Sequence, residues 1–180
     1  DQIRVGTEPV ALTDFAAQIA DSTGVKAVAE TVNITSEAEV LSLFQRHPKV
    51  DYFQHTAGIS PKPLTPPEDL TKADILGACE VNLWGAHNLI SQGVHSGAFG
   101  QGTRGVLILS TSATVGSEGR ASSAYEESKG GLLNLLTLQS RHFVEKYGLI
   151  LNGLAPSPLR GPMAAQNPTS AGRLQAVEDS

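Results

Sequence analysis

A chain of 180 residues with 40% apolar side chains is long enough to bury the core of one globular domain, and its net charge of −5, without a basic run, argues against nucleic acid or an anionic membrane surface as partner. A single cysteine, Cys79, excludes an internal disulfide and fits a reducing compartment, and no apolar run reaches the roughly 18 residues of a membrane span. With no signal peptide at the start, the expectation is a cytoplasmic protein with one domain over 1–180, of which 164–180 reads as a mobile lid or tail.

Taken in order, Ile3 to Val5 predicts a short strand. Thr7 and Pro9 can cap and start a helix with Leu12, Phe15, Ala16 and Ile19 on its apolar face and Gly24 at its end. Val25 to Val32 then reads as a strand. Ser36 with Glu39 forms a capping box for a helix carrying Val40, Leu41, Leu43 and Phe44, which stops before Pro48. Val50 to Gln54 is the next strand and runs into His55-Thr56-Ala57-Gly58. His55 has no acid or nucleophile pattern beside it, so a structural role is expected. Pro61 to Pro67 is a loop, and Thr71 with Asp74 opens a helical stretch to about His95.

A glycine-rich connection, Ser96 to Arg104, leads to an unbroken apolar run, Val106 to Leu109, of the kind a parallel strand shows when helices cover both faces. Ser123 and Glu126 make a second capping box for a helix through Leu132, Leu135, Leu138 and Phe143 to Gly148. Gly130 and Gly131 inside it each cost about 1 kcal/mol relative to alanine, so close packing of another backbone or a cofactor is expected there. Leu149 to Ala155 is the last strand.

The chemistry concentrates after the central run. A Ser/Thr cluster, Ser110 to Ser112, follows it; Tyr125 stands thirteen residues beyond Ser112, and Lys129 four beyond that, one turn along the same helix face. A phenol with its ordinary pKa near ~10 is a poor base at neutral pH, and each unit of lowering needs about 1.4 kcal/mol of preferential anion stabilisation. A lysine one turn away is expected to supply it. Ser112 would hold a carbonyl or alcohol oxygen within reach of Tyr125, which would give or take the proton. A hydride carrier is lacking from this set, so carbonyl/alcohol interconversion needs a nicotinamide.

Ser112, Tyr125 and Lys129 resemble the Ser…Tyr-x-x-x-Lys signature of the short-chain dehydrogenase/reductase family. Val81-Asn82-Leu83 with Gly85 resembles its Asn-Leu-x-Gly, whose asparagine holds a helix kink and anchors a water relay to the lysine. Ala57-Gly58 matches the end of its Asn-Asn-Ala-Gly, with His55 and Thr56 in place of both asparagines. Asn152 to Ser157 resembles its Asn-x-x-x-Pro-Gly, which would put Pro156 against the nicotinamide, and Asn33-Ile34 stands where the family contacts adenine. The resemblance implies a doubly wound, Rossmann-like α/β sheet, incomplete at both ends, with NADP(H) or NAD(H) as cofactor. It implies Asn82, Ser112, Tyr125 and Lys129 as the catalytic set and Asn33, Ile34, Ala57, Gly58, Tyr125, Lys129 and Pro156 around the cofactor. It also implies a small-molecule carbonyl or alcohol substrate, and a homodimer or homotetramer through the helices carrying Asn82 and Tyr125.

The family's glycine-rich phosphate turn has no counterpart, since no Gly-x-x-x-Gly-x-Gly occurs in the sequence. Val5, Gly6 and Thr7 offer no acid for a ribose of NAD, which leans toward NADP, while registers using Glu8 or Asp14 leave NAD open. Two other functions stay open: a catalytically silent fragment acting as a dimerising or interaction module, and a non-redox lyase, isomerase or cyclase using the same tyrosine.

Overall fold

The computed structural model describes residues 2–5, 8–62, 65–115 and 123–156. Its backbone falls into two compact units, 1–33 and 34–180. The segments expected around 157–180, including the lid or tail, lie outside the described residues.

In the first unit, β1 (Gln2–Val5) and β2 (Glu8–Ala11) pair antiparallel, with Ile3 opposite Val10 and Arg4 opposite Pro9. The helix expected from Thr7 and Pro9 therefore starts later, as α1 (Leu12–Thr23), because Pro9 is taken up in β2. A two-stranded ribbon tolerates a residue with no N–H to donate, since one side of each strand is unpaired. Gly24, at φ 72°, closes α1 with its N–H on the Ala20 carbonyl at 2.8 Å. Residues 26–33 form no strand, contrary to the reading of Val25 to Val32. Val25 and Val28 are both more than half exposed, and no described strand pairs with them. β-branched composition makes a ladder only where a neighbour accepts its hydrogen bonds.

The second unit opens with Ser36, whose Oγ accepts the Glu39 N–H at 3.3 Å and caps α2 (Glu37–Arg46). Val40 and Phe44 are its buried positions, one helical turn apart. β3 (Tyr52–His55) starts two residues later than Val50 suggested. The reason is that the Val50 N–H binds the Ala98 carbonyl and its carbonyl accepts Thr103 Oγ1, which commits that residue to a loop. Parallel β4 (Arg104–Ile108) lies between β3 and β5 (Ile150–Leu154), giving the order β3-β4-β5. This is the Rossmann-like parallel α/β arrangement. Phe99 stacks on Phe53 at 4.5 Å and meets Phe44 edge-on at 5.0 Å, pairs worth about 0.5–1.5 kcal/mol each beyond their area.

The expected long helix is three segments. A Thr71–Asp74 capping box, with both of its reciprocal bonds formed, starts α3 (Lys72–Cys79). A π-helical turn (Glu80–Trp84) follows, and α4 (Gly85–His95) continues it. After the single turn α5 (Ser112–Val115) comes α6 (Ser123–Tyr147). A methyl on Gly131 would come within 2.8 Å of Leu83 Cδ2, so α6 packs closely on the π turn there and a larger residue would make the leucine shift. Gly130 meets nothing within 4 Å, so packing within the described residues does not account for it. Among the described residues no helix is long and apolar enough to cross a membrane, and no group of three or more His, Cys, Asp or Glu could hold a metal.

Candidate active site

The site forms where the parallel strands end, the edge at which open α/β sheets bind ligands. β4 exits into Ser110 and Ser112, β3 into Ala57 and Gly58, β5 into Pro156, and the first turns of α6 bring Tyr125 and Lys129. Pro156 is tied to this edge because its carbonyl accepts the Thr111 N–H at 3.3 Å and Thr111 Oγ1 at 3.4 Å.

Lys129 is 3% exposed and donates from Nζ to the Ile108 carbonyl at 2.7 Å, at the end of the central strand. Its ammonium lies 5.8 Å from the Tyr125 ring centroid, at the outer limit of a cation–π contact. Burial lowers its pKa from 10.5 to about 8. Burial also raises the Tyr125 phenol above its ordinary value, only partly opposed by a hydrogen bond from Ser110. In this structure the phenol is held above its ordinary value by burial, the opposite direction to the lowering expected of Lys129.

Asn82 is wholly buried in the π turn, and its side chain is almost fully committed. Oδ1 accepts the Ile59 N–H at 2.7 Å, while Nδ2 donates to the Ile59 carbonyl at 2.9 Å and to Ser128 Oγ at 2.8 Å. Ser128 in turn donates to the Tyr125 carbonyl at 2.7 Å. Asn82 thus clamps the loop after β3 to the helical turn that carries Tyr125 and Lys129. A π turn supplies the extra residue that lets this side chain leave the helix sideways. A methyl on Gly58 would sit 3.3 Å from Asn82 Oδ1 and 3.6 Å from Lys129 Nζ, so bare backbone passes close to both groups.

Ser128 escaped the sequence reading, and Ser110 entered it only as part of a Ser/Thr cluster. Ser128 lies between Tyr125 and Lys129 at i+3 from the tyrosine, and a helical serine bonding an i−3 carbonyl was its available signal. Ser110 Oγ lies 2.8 Å from Ser112 Oγ and accepts the Ser112 N–H at 3.3 Å.

Ile34, Asn33 and His55 have these surroundings. Ile34 packs against α4, where a methyl on Gly85 would meet its Cγ2 at 2.8 Å, and its carbonyl accepts Asn88 Nδ2 at 2.9 Å. Asn33 is an exposed residue of irregular backbone that ends the first unit. His55 is 2% exposed with neither ring nitrogen hydrogen-bonded; burial first and the Lys129 charge second lower its pKa from 6.5 to about 4, so it is neutral.

A family model described as enoyl-(acyl carrier protein) reductase matches residues 7–180. No curated protein matches the sequence. Among solved structures, an actinorhodin polyketide ketoreductase with NADPH is similar at 26% identity and a TM-score of 0.73, over 86% of this chain and 59% of its own. A sorbitol-6-phosphate 2-dehydrogenase from Erwinia amylovora is similar at 25% identity and a TM-score of 0.71, over 91% and 65%. At 21% identity, a protein described as a short-chain dehydrogenase/reductase from Burkholderia xenovorans shares the fold with a TM-score of 0.74, over 92% and 66%. The chain thus spans about three fifths of the length of the first of these. A family match over nearly every residue, on a parallel α/β sheet of this kind, places the chain in the short-chain dehydrogenase/reductase family.

Proposed function

We propose that the protein interconverts a carbonyl and a secondary alcohol using NADP(H) or NAD(H). The observation that carries the proposal is the gathering of a serine hydroxyl, a half-buried phenol and a buried ammonium at one end of the parallel sheet. The described residues suit the nicotinamide-ribose end of such a cofactor: Gly58 leaves bare backbone beside Lys129 Nζ, and Pro156 borders the same edge. Lys129 would hydrogen-bond the ribose, with Ala57, Gly58 and Pro156 walling it in. When bound, the nicotinamide supplies or takes the hydride.

Ser112 would hold the substrate oxygen by its hydroxyl while Tyr125 gives that oxygen a proton. A phenol whose pKa is raised by burial stays protonated at neutral pH, which suits the acid role in carbonyl reduction better than the base role in alcohol oxidation. Asn82 acts at one remove, because its bonds to Ile59 and Ser128 fix the Tyr125–Lys129 turn against the loop after β3. NADP(H) is the preferred partner on the absence of an acid in Val5 to Thr7.

We also read the face carrying Leu76, Leu83, Trp84, Leu135 and Leu138 as the surface through which copies of the chain associate as a homodimer or homotetramer. It forms a groove of roughly 730 Å³ along the π turn and α6, and Leu138 is 74% exposed on it. Large apolar side chains in one exposed patch favour a partner over water.

Mixing the protein with NADPH or NADH and a panel of ketones and aldehydes, and following nicotinamide absorbance, tests the activity. Carbonyl-dependent loss of absorbance supports it. A silent interaction module gives no loss, and a non-redox enzyme consumes substrate with no absorbance change.

A further inference from the structure

The backbone that leaves β3 past Gly58 is fixed at two points. Ile59 is held by Asn82, whose Oδ1 accepts its N–H at 2.7 Å and whose Nδ2 donates to its carbonyl at 2.9 Å. Lys62 donates from Nζ to Asp74 Oδ2 at 2.8 Å, in the first turn of α3. Pro61 lies between the two anchors, and its ring fixes one backbone angle there. The span starts beside the candidate active site, since an added methyl on Gly58 would sit 3.6 Å from Lys129 Nζ.

Among the described residues Lys62 is the one non-glycine residue at positive φ, with φ 44°. Glycine takes such backbone freely, whereas a Cβ resists it. Local preference therefore does not select lysine at this position, and its ammonium supplies the reason. Asp74 is a well-fixed acceptor for that ammonium. The same Oδ2 takes the Thr71 N–H at 2.9 Å and the Thr71 hydroxyl at 2.6 Å, within the capping box of α3. The hydrogen bond from Lys62 first, and those from Thr71 after it, lower the Asp74 pKa from 3.8 to about 2, so the carboxylate stays charged throughout the neutral range.

We infer that Lys62 is a positioning residue for the nicotinamide cofactor: through Asp74 it braces the span from Gly58 to Lys62 against α3 and so steadies the backbone that walls the ribose beside Lys129. This rests on the oxidoreductase reading above. Lys62 takes no part in proton or hydride transfer. Its loss acts through the backbone after Gly58, so the effect falls on cofactor binding and on the exchange of the Ile59 amide, which Asn82 protects.

The test compares the full chain with K62M, K62R, K62G and D74N, each checked for folding by circular dichroism. The first readout needs no cofactor: hydrogen exchange of the Ile59 amide. K62M and D74N should exchange about threefold faster than the parent, within the reach of a half-exposed ion pair, and K62R should return toward it. K62G relaxes the backbone but lacks the ammonium, and should exchange like K62M. The second readout is the NADPH Kd by fluorescence titration. K62M removes a positive charge and D74N a negative one, so a long-range attraction for phosphate would move the two Kd values in opposite directions. The brace predicts that both rise, by about threefold. An Ile59 amide that exchanges at the parental rate in K62M overturns the inference, as do Kd values that move in opposite directions, a K62R that restores neither readout, and a K62G that matches the parent. If the parent binds no NADPH, the oxidoreductase reading fails by itself, while the exchange rates still decide whether Lys62 braces the span.

Discussion

Asn82 and Tyr125 lie on either side of Ser128, yet they are built differently. Asn82 is wholly buried, spends both amide protons and an oxygen lone pair inside the protein, and makes a closed clamp. Tyr125 is only partly buried, and its hydroxyl makes no hydrogen bond of comparable kind among the described residues. Closed polar groups hold shape, because a buried donor or acceptor left unpaired costs about 1–3 kcal/mol. Open ones are where a substrate can complete the set.

The contrast can be broken most sharply at Tyr125. Tyr125→Phe should leave thermal stability close to the parent and reduce carbonyl reduction by about 10²–10⁴-fold, the range for removal of a general acid. Steady-state rates beside a melting curve check it. An equal loss of stability would place Tyr125 with the closed groups. Asn82→Ala should show the reverse pattern in a urea titration. It strands the Ile59 N–H and carbonyl and leaves Ser128 without a donor, a destabilisation of about 2–4 kcal/mol. An unchanged midpoint would show that the clamp is dispensable.

His55 sharpens the comparison from a third direction, being buried like Asn82 but without a partner on either nitrogen. Its native pKa of about 4 lies below the unfolded 6.5, so the unfolded chain binds more protons between those values. Stability should therefore be complete above pH 6.5 and fall as pH drops toward 4, by about 3 kcal/mol if nothing else titrates with it. Denaturant midpoints across that window, in the parent and in His55→Leu, test the assignment: the leucine variant should flatten the slope. A slope that survives the replacement would assign the acid sensitivity to other groups. Gly58→Ala is the mildest change, because its methyl meets Asn82 Oδ1 at 3.3 Å, slightly tight, and Lys129 Nζ at 3.6 Å, an ordinary contact. It should cost about 1 kcal/mol in stability and weaken NADPH binding, both readable by thermal shift with and without NADPH.

Much of this arrangement was legible before the fold. The capping pairs at Ser36 and Thr71 name helix starts that form as read, since a cap needs only local residues. Tyr125 and Lys129 share one helix face, as their spacing required, with the ammonium 5.8 Å from the ring centroid. Val25 to Val32 misled because strand formation depends on a distant neighbour that local composition does not name. Pro9 misled for the related reason that its β1 partner, Arg4, outweighed its suitability for a helix start. The direction of the Tyr125 shift was out of reach too: it turns on how deeply the phenol is buried and on Ser110, and neither burial nor a side chain's aim is written in the spacing.

The central claim is that Tyr125 supplies the proton for a hydride transfer at this strand edge. The most direct test is isotopic. NADPH carrying deuterium at its transferable nicotinamide position is supplied with a ketone, and the alcohol is analysed by mass spectrometry for the parent and for Tyr125→Phe. The account predicts deuterium on the carbinol carbon in the parent and almost none formed by the variant. Alcohol without deuterium, or deuterated alcohol formed by the variant at the parental rate, would contradict it.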